Sequence, residues 1–213
     1  MSYGLQIQSS SGYVQIDETY ANSGLIQSGT TTTGTRVSVS GGLDKCLVFV
    51  KIPYGKSITR SYWSSTDFST YPGHSSGTNY SYEYRVFKML TQQPTLNGYG
   101  LYVFNQTSNL VFSSNYRYAR IAAAANFVIP FNDTNYQTNI TIPSIGVQPW
   151  ILLNTLYTAG LAESGSNYSY FMNVIATLQS NGNVNAFIDV VSNGPYVDTS
   201  WVNDGSRTLL LAK

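Results

Sequence analysis

Tyr3-Gly4-Leu5-Gln6-Ile7 and Tyr99-Gly100-Leu101-Tyr102-Val103 are two versions of one strand, and the chain behind each follows the same course. A step of 96 residues carries Tyr3 onto Tyr99. The same step continues without a gap through Val14 and Leu110, Ile16 and Phe112, Tyr20 and Tyr116, to Leu25 and Ile121. Self-similarity at a fixed step marks a repeated unit. Both copies read as a β-hairpin. Leu5 and Ile7 lie on one face of a strand, Ser9 to Gly12 make the turn, and Val14 and Ile16 return apolar side chains to that face. In the second copy Leu101, Val103, the turn Asn105 to Asn109, Leu110 and Phe112 repeat the pattern.

Behind each hairpin the order of elements repeats more loosely. Thr35-Arg36-Val37-Ser38-Val39 alternates as Thr138-Asn139-Ile140-Thr141-Ile142 does, and an apolar run follows each, Leu47 to Val50 and Ile151 to Leu153. A third match sets Ser76 to Tyr82 against Ser164 to Tyr170, with a different spacing. Elsewhere short segments rich in Val, Ile, Tyr, Thr and Phe stand between Gly, Asn and Ser clusters, which is strand grammar. Trp150 to Leu161 reads as strand, and Ile121 to Ala125 is too short to nucleate a helix between β-like neighbours. Thr91 to Gly98 is polar, holds Pro94 and Gly98, and places a boundary near Leu96. The expected fold is all-β, two tandem, related antiparallel β-sandwich-like units spanning 1–96 and 97–213. The second unit is expected to carry an extra C-terminal strand pair, Val184 to Val191 and Arg207 to Ala212.

Composition narrows the function classes. Of 213 residues 10% are charged, against roughly 25% in ordinary soluble chains, and the net charge is +1 without a basic block. Nucleic acid is therefore not an expected partner. The start, Met1-Ser2-Tyr3-Gly4-Leu5, has no basic or apolar signal region, and no apolar run is long enough to span a bilayer. Synthesis in a cytoplasm without membrane insertion is expected. Cys46, the one cysteine, sits in the apolar run Cys46 to Val50 and reads as a small core residue.

Catalytic, metal and cofactor residues are all expected to be absent. His74 is the one histidine and lies in the loop Tyr71 to Gly77, with no nucleophile elbow elsewhere. Glu83 and Asp189 are the acids in strand-like segments that merit inspection for glycoside cleavage, which needs two carboxyls about 5 to 10 Å apart. No Cys/His or calcium-type acidic cluster appears, and Gly41-Gly42 leads into a strand, so it reads as a hairpin turn and not a phosphate loop. Five Asn-x-Ser/Thr triplets, at Asn79, Asn105, Asn132, Asn139 and Asn167, follow from Asn, Ser and Thr abundance. The 18 tyrosines with Ser, Gly and Asn form a palette suited to contact surfaces, because a rigid amphipathic ring gives area at little entropy cost. Tyr54, Tyr62, Trp63 and Tyr71, read as loop residues, are the candidate binding aromatics.

The two hairpins, Tyr3 to Asp17 and Tyr99 to Ser114, resemble the opening motif of small proteins encoded among tailed-bacteriophage tail genes, a "YGLxVfn" strand, a polar turn and an "lvFdS" strand. Arg117 and Arg120 resemble the arginines that often follow that hairpin; the first copy holds Ala21 and Gly24 there. The resemblance implies a virion location in the tail, contacts with other tail proteins and a symmetric homo-oligomer. The alternative expectation is a module that recognises a receptor or carbohydrate on the host surface.

Overall fold

The computed structural model describes residues 6–8, 14–17, 23–73, 78–89, 99–105, 107–108, 110–128, 140–156, 158–162, 169–192 and 206–213. His74, Asn132, Asn139, Asn167 and the boundary near Leu96 lie outside them. Among the described residues the chain is all-β and antiparallel, with one short 3₁₀ turn, Leu153–Thr155.

Strands β1 (Gln6–Gln8) and β2 (Val14–Asp17) form one hairpin, and β9 (Tyr102–Phe104) and β10 (Leu110–Ser113) another. Their registers coincide under the 96-residue step. Gln6 faces Asp17 as Tyr102 faces Ser113, Ile7 faces Ile16 as Val103 faces Phe112, and Gln8 faces Val14 as Phe104 faces Leu110. Each ladder is interrupted by a bulge at the same place.

After the first hairpin come β3 (Ser23–Thr32), β4 (Val37–Ser38), β5 (Cys46–Lys51), β6 (Ser57–Trp63), β7 (Asp67–Pro72) and β8 (Ser81–Met89). After the second come β11 (Ile121–Val128), β12 (Ile140–Ile142), β13 (Trp150–Leu152), β14 (Thr158–Ala162), β15 (Ser169–Leu178), β16 (Val184–Ser192) and β17 (Ser206–Ala212). The six-stranded sheet has the order β11-β17-β13-β5-β8-β3. The seven-stranded sheet runs β12-β16-β15-β6-β7-β4, with β14 also on β15. Each order reads the same from the centre outward in either half. The centre of one sheet is the β5–β13 pair, Val50 opposite Ile151, and that of the other is β6–β15, Ile58 opposite Ala176.

The two stretches of sequence on either side of residue 97 therefore share both sheets and one interior. Val48, Val50, Ile58, Phe68 and Val86 from one side pack with Ile142, Ile151, Val174, Leu178, Leu209 and Leu211 from the other. Burying each such side chain is worth about 1.5–3 kcal/mol. β16 and β17, expected as an unmatched strand pair, instead occupy the places of β7 and β8, lie in different sheets and do not pair with each other. The match of Ser76 to Tyr82 with Ser164 to Tyr170 does not carry over, since Tyr82 is in β8 and Tyr170 in β15, strands with different places. Gly41 and Gly42, at φ 81° and 77°, do turn the chain, but between β4 and β5 of opposite sheets and not within a hairpin. A Cβ on Gly42 would also stand 2.9 Å from the Ser65 carbonyl.

On its far side the six-stranded sheet buries a second cluster, Phe49, Phe87, Trp150, Leu152 and Ala212, with Leu25 and Ala119 against it. The Phe49 and Phe87 rings meet edge to face at 5.8 Å. Gly24 bridges to Tyr118, and the Leu25 amide donates to the Arg117 carbonyl at 2.8 Å. This contact joins the start of β3 to the segment just before β11, the strands at the two edges of one sheet.

Candidate functional site

The outer face of β6 and β7 is set by one irregularity. Ile58 points into the core and Thr59 away, so simple alternation would send Tyr62 inward and Trp63 outward. The register shifts between Arg60 and Tyr62, and a bulge of one residue exchanges the faces beyond it. Trp63 thus pairs with Phe68 and packs on the core side, ring centroids 6.3 Å apart, while Tyr62 pairs with Ser69 on the outer face. Tyr71, two residues along from Ser69, stands on that same face opposite Thr59 and is 57% exposed.

Arg36 closes one end of this face, its guanidinium 3.9 Å from the Tyr62 ring centroid. An exposed stack of this kind is worth about 0.5–1 kcal/mol. Between Tyr62 and Tyr71 the hydroxyls of Ser61 and Ser69 bond each other at 2.8 Å. The turn into β7 is fixed by Ser64, whose hydroxyl accepts from the Asp67 amide at 2.8 Å. Ser38 and Thr66 donate to the Asp67 carboxylate at 2.6 and 2.9 Å and, Ser38 foremost, hold its pKa below the ordinary value. The face offers rings, hydroxyls and one guanidinium, which suits non-covalent recognition of polar, ring-shaped or hydroxylated groups.

Of the four aromatics read as loop residues, only Tyr54 is in a turn, between β5 and β6, and it is 49% exposed. Tyr62, Trp63 and Tyr71 are strand residues. The structure brings Tyr62 and Tyr71 together and turns Trp63 to the other side. Arg36 and the Ser61–Ser69 pair escaped the sequence reading; the alternation of Thr35 to Val39, which puts Arg36 opposite in phase to the core residues Val37 and Val39, was the available signal.

Glu83 and Asp189 belong to strands of different sheets. Glu83 lies 3.7 Å from Lys51 on the side of the six-stranded sheet that faces away from the sandwich, whereas Asp189 belongs to the seven-stranded sheet. Among the described residues no three His, Cys, Asp or Glu side chains gather as metal ligands, and no helix is long and apolar enough to cross a membrane. Cys46 is buried, and burial pushes its thiol pKa up. Comparison with family models, curated proteins and solved structures finds no match to this chain.

A second exposed feature is apolar. On the β9–β10 hairpin Tyr99, Leu101 and Phe104 stand 104%, 47% and 37% exposed. Behind them the hairpin is held firmly. Phe112 stacks on Tyr118 at 5.2 Å, and the Tyr118 hydroxyl accepts from the Ser113 amide and donates to the Ser113 carbonyl, both at 2.7 Å.

Proposed function

We propose that this chain is a structural component of a bacteriophage virion, in the tail-tip or fibre-attachment region, and works by protein-protein contacts with other tail proteins and with copies of itself. No catalytic step is assigned to it. The observation that carries this reading is the β9–β10 hairpin. The segment with the tail-gene resemblance is also the one that presents Tyr99, Leu101 and Phe104 to solvent on a stiff support. Exposed apolar groups close together along one element suit a subunit interface. Immunogold labelling or cryo-EM of intact particles tests it: density at the tail end is expected, and absence from purified particles overturns it.

A second reading, a module that recognises carbohydrate on the host surface, is supported by the Arg36–Tyr62 stack and Tyr71 flanking paired hydroxyls. Its test is binding of the purified protein to host envelope glycans. Tyr71→Ala should lose most of that binding at unchanged thermal stability, because the ring is largely exposed.

A further inference from the structure

We propose that two copies of this chain associate edge to edge through β3, antiparallel, with Thr30 of each copy opposite Thr30 of the other. The inference goes beyond the tail reading and stands on the isolated protein.

The free groups on β3 can be assigned from one hydrogen bond. The Thr33 amide donates to the Tyr80 carbonyl at 3.0 Å, so that pair is a bonded one. Bonded and non-bonded pairs alternate along an antiparallel ladder. Thr32, Thr30 and Ser28, opposite Ser81, Glu83 and Arg85, therefore turn N–H and C=O away from β8 and toward the edge of the sheet, where no strand among the described residues pairs with them. All three side chains are exposed. The Thr32 carbonyl already accepts from the Thr35 amide at 3.0 Å and keeps its second lone pair.

Edge strands are ordinarily guarded by Lys, by Pro or by inward charge. β3, Ser23–Thr32, contains no charged residue and no Pro. At its first residues the edge is already used for pairing, through Gly24 with Tyr118 and Leu25 with Arg117, and the proposed contact continues that ladder where the chain's own segment leaves it. With Thr30 at the two-fold axis, Ser28 meets Thr32 of the second copy, so the outer face gains Thr–Thr and Ser–Thr pairs, which favour sheets. On the inner face Gly29 meets Thr31 of the second copy. The Tyr84 ring lies over Gly29, where a Cβ would sit 2.9 Å from its hydroxyl, so the incoming threonine packs beside that ring. No like charges are brought together along the seam, and the net charge of +1 offers little general repulsion.

Sedimentation equilibrium of the purified protein is expected to show a dimer, and Thr30→Lys a monomer, with association weakened by at least about tenfold and an unchanged circular dichroism spectrum. A wild type that stays monomeric at high-micromolar concentration overturns the proposal, as does a folded Thr30→Lys variant that dimerises equally well. If Thr30→Lys fails to fold, Thr30→Cys decides. A bonded antiparallel pair sets Cα atoms about 5.5 Å apart, within the span of a disulfide. Thr30→Cys should give a reducible dimer under mild oxidation and Thr31→Cys should not; equal cross-linking of both, or of neither, overturns the register.

Discussion

At the centre of the six-stranded sheet β5 supplies six residues, Cys46–Lys51, whereas β13 supplies three, Trp150–Leu152, before the chain winds into Leu153–Thr155. The shorter strand nevertheless supports the longer one along its length. Leu152 is opposite Phe49, and two residues on, where the ladder would face Leu47, the side chain of Asn154 takes over. Its Oδ1 accepts from the Val48 amide and its Nδ2 donates to the Cys46 carbonyl, both at 2.8 Å. One side-chain amide thus replaces a stretch of backbone. The two halves keep the same strand order with unlike residues, because topology asks only for alternation, length and satisfied backbone groups. Their surfaces have diverged further: the Arg36–Tyr62 stack belongs to the first half, and β3 is hydroxyl-rich where β11 is Ile-Ala-Ala-Ala-Ala-Asn-Phe-Val.

If the halves share one interior, damage at their junction must be felt in both. Phe49→Ala, at a fully buried ring against Phe87, is expected to lower stability by about 3–5 kcal/mol in a single denaturant transition. Single-tryptophan variants retaining Trp63 or Trp150 report on the first and second half, and two separated transitions would break the shared-core description. Asn154→Ala leaves the Val48 amide and Cys46 carbonyl without these bonds and should cost about 1–3 kcal/mol. Hydrogen exchange at Val48 should accelerate in that variant; an unchanged rate would mean the side chain is dispensable to β5.

Alkali should weaken the shared core through buried tyrosines of β8 and the residue before it. Burial pushes the Tyr82 hydroxyl up to about 12, against a smaller opposing effect of Thr70, and pushes Tyr80 higher still. Neither the Tyr82 nor the Thr70 hydroxyl has a hydrogen-bond partner in good geometry. A folded pKa raised above the unfolded value near 10 means stability fully present below about pH 10 and lost as pH rises through about 12. Tyr82 alone should remove roughly 1 kcal/mol per pH unit in that window. Equilibrium unfolding at pH 9 and 11 should show that loss, and Tyr82→Phe should reduce it. The smallest effect is expected at the surface, where Glu83→Gln breaks a partly exposed pair with Lys51 and should change stability by under about 1 kcal/mol at low salt.

Much of this was legible in the chain. The hairpins could be read because Leu5, Ile7, Val14 and Ile16 alternate and their counterparts do the same. The equivalence of Thr35 to Val39 with Thr138 to Ile142 was legible too, and these segments hold β4 and β12. Partner choice was not. Nothing near Val50 announces Ile151, since pairing across the chain leaves only an apolar run at each place. β16 and β17 went unmatched because their side chains no longer resemble those of β7 and β8. At the candidate site Tyr62, Trp63 and Tyr71 were read as loop residues although they lie in strands, and a one-residue bulge, which has no composition of its own, decided which ring faced out.

The pairing of β5 with β13 also bears on how the protein is made. When β5 leaves the ribosome its central partner lies about a hundred codons away, so Val48, Phe49 and Val50 must wait with one flank unpaired while those codons are read. Such long-range pairing folds slowly and exposes an adhesive edge meanwhile. Production in cells should therefore respond to chaperone supply and translation speed more than the stability of the finished sandwich would suggest.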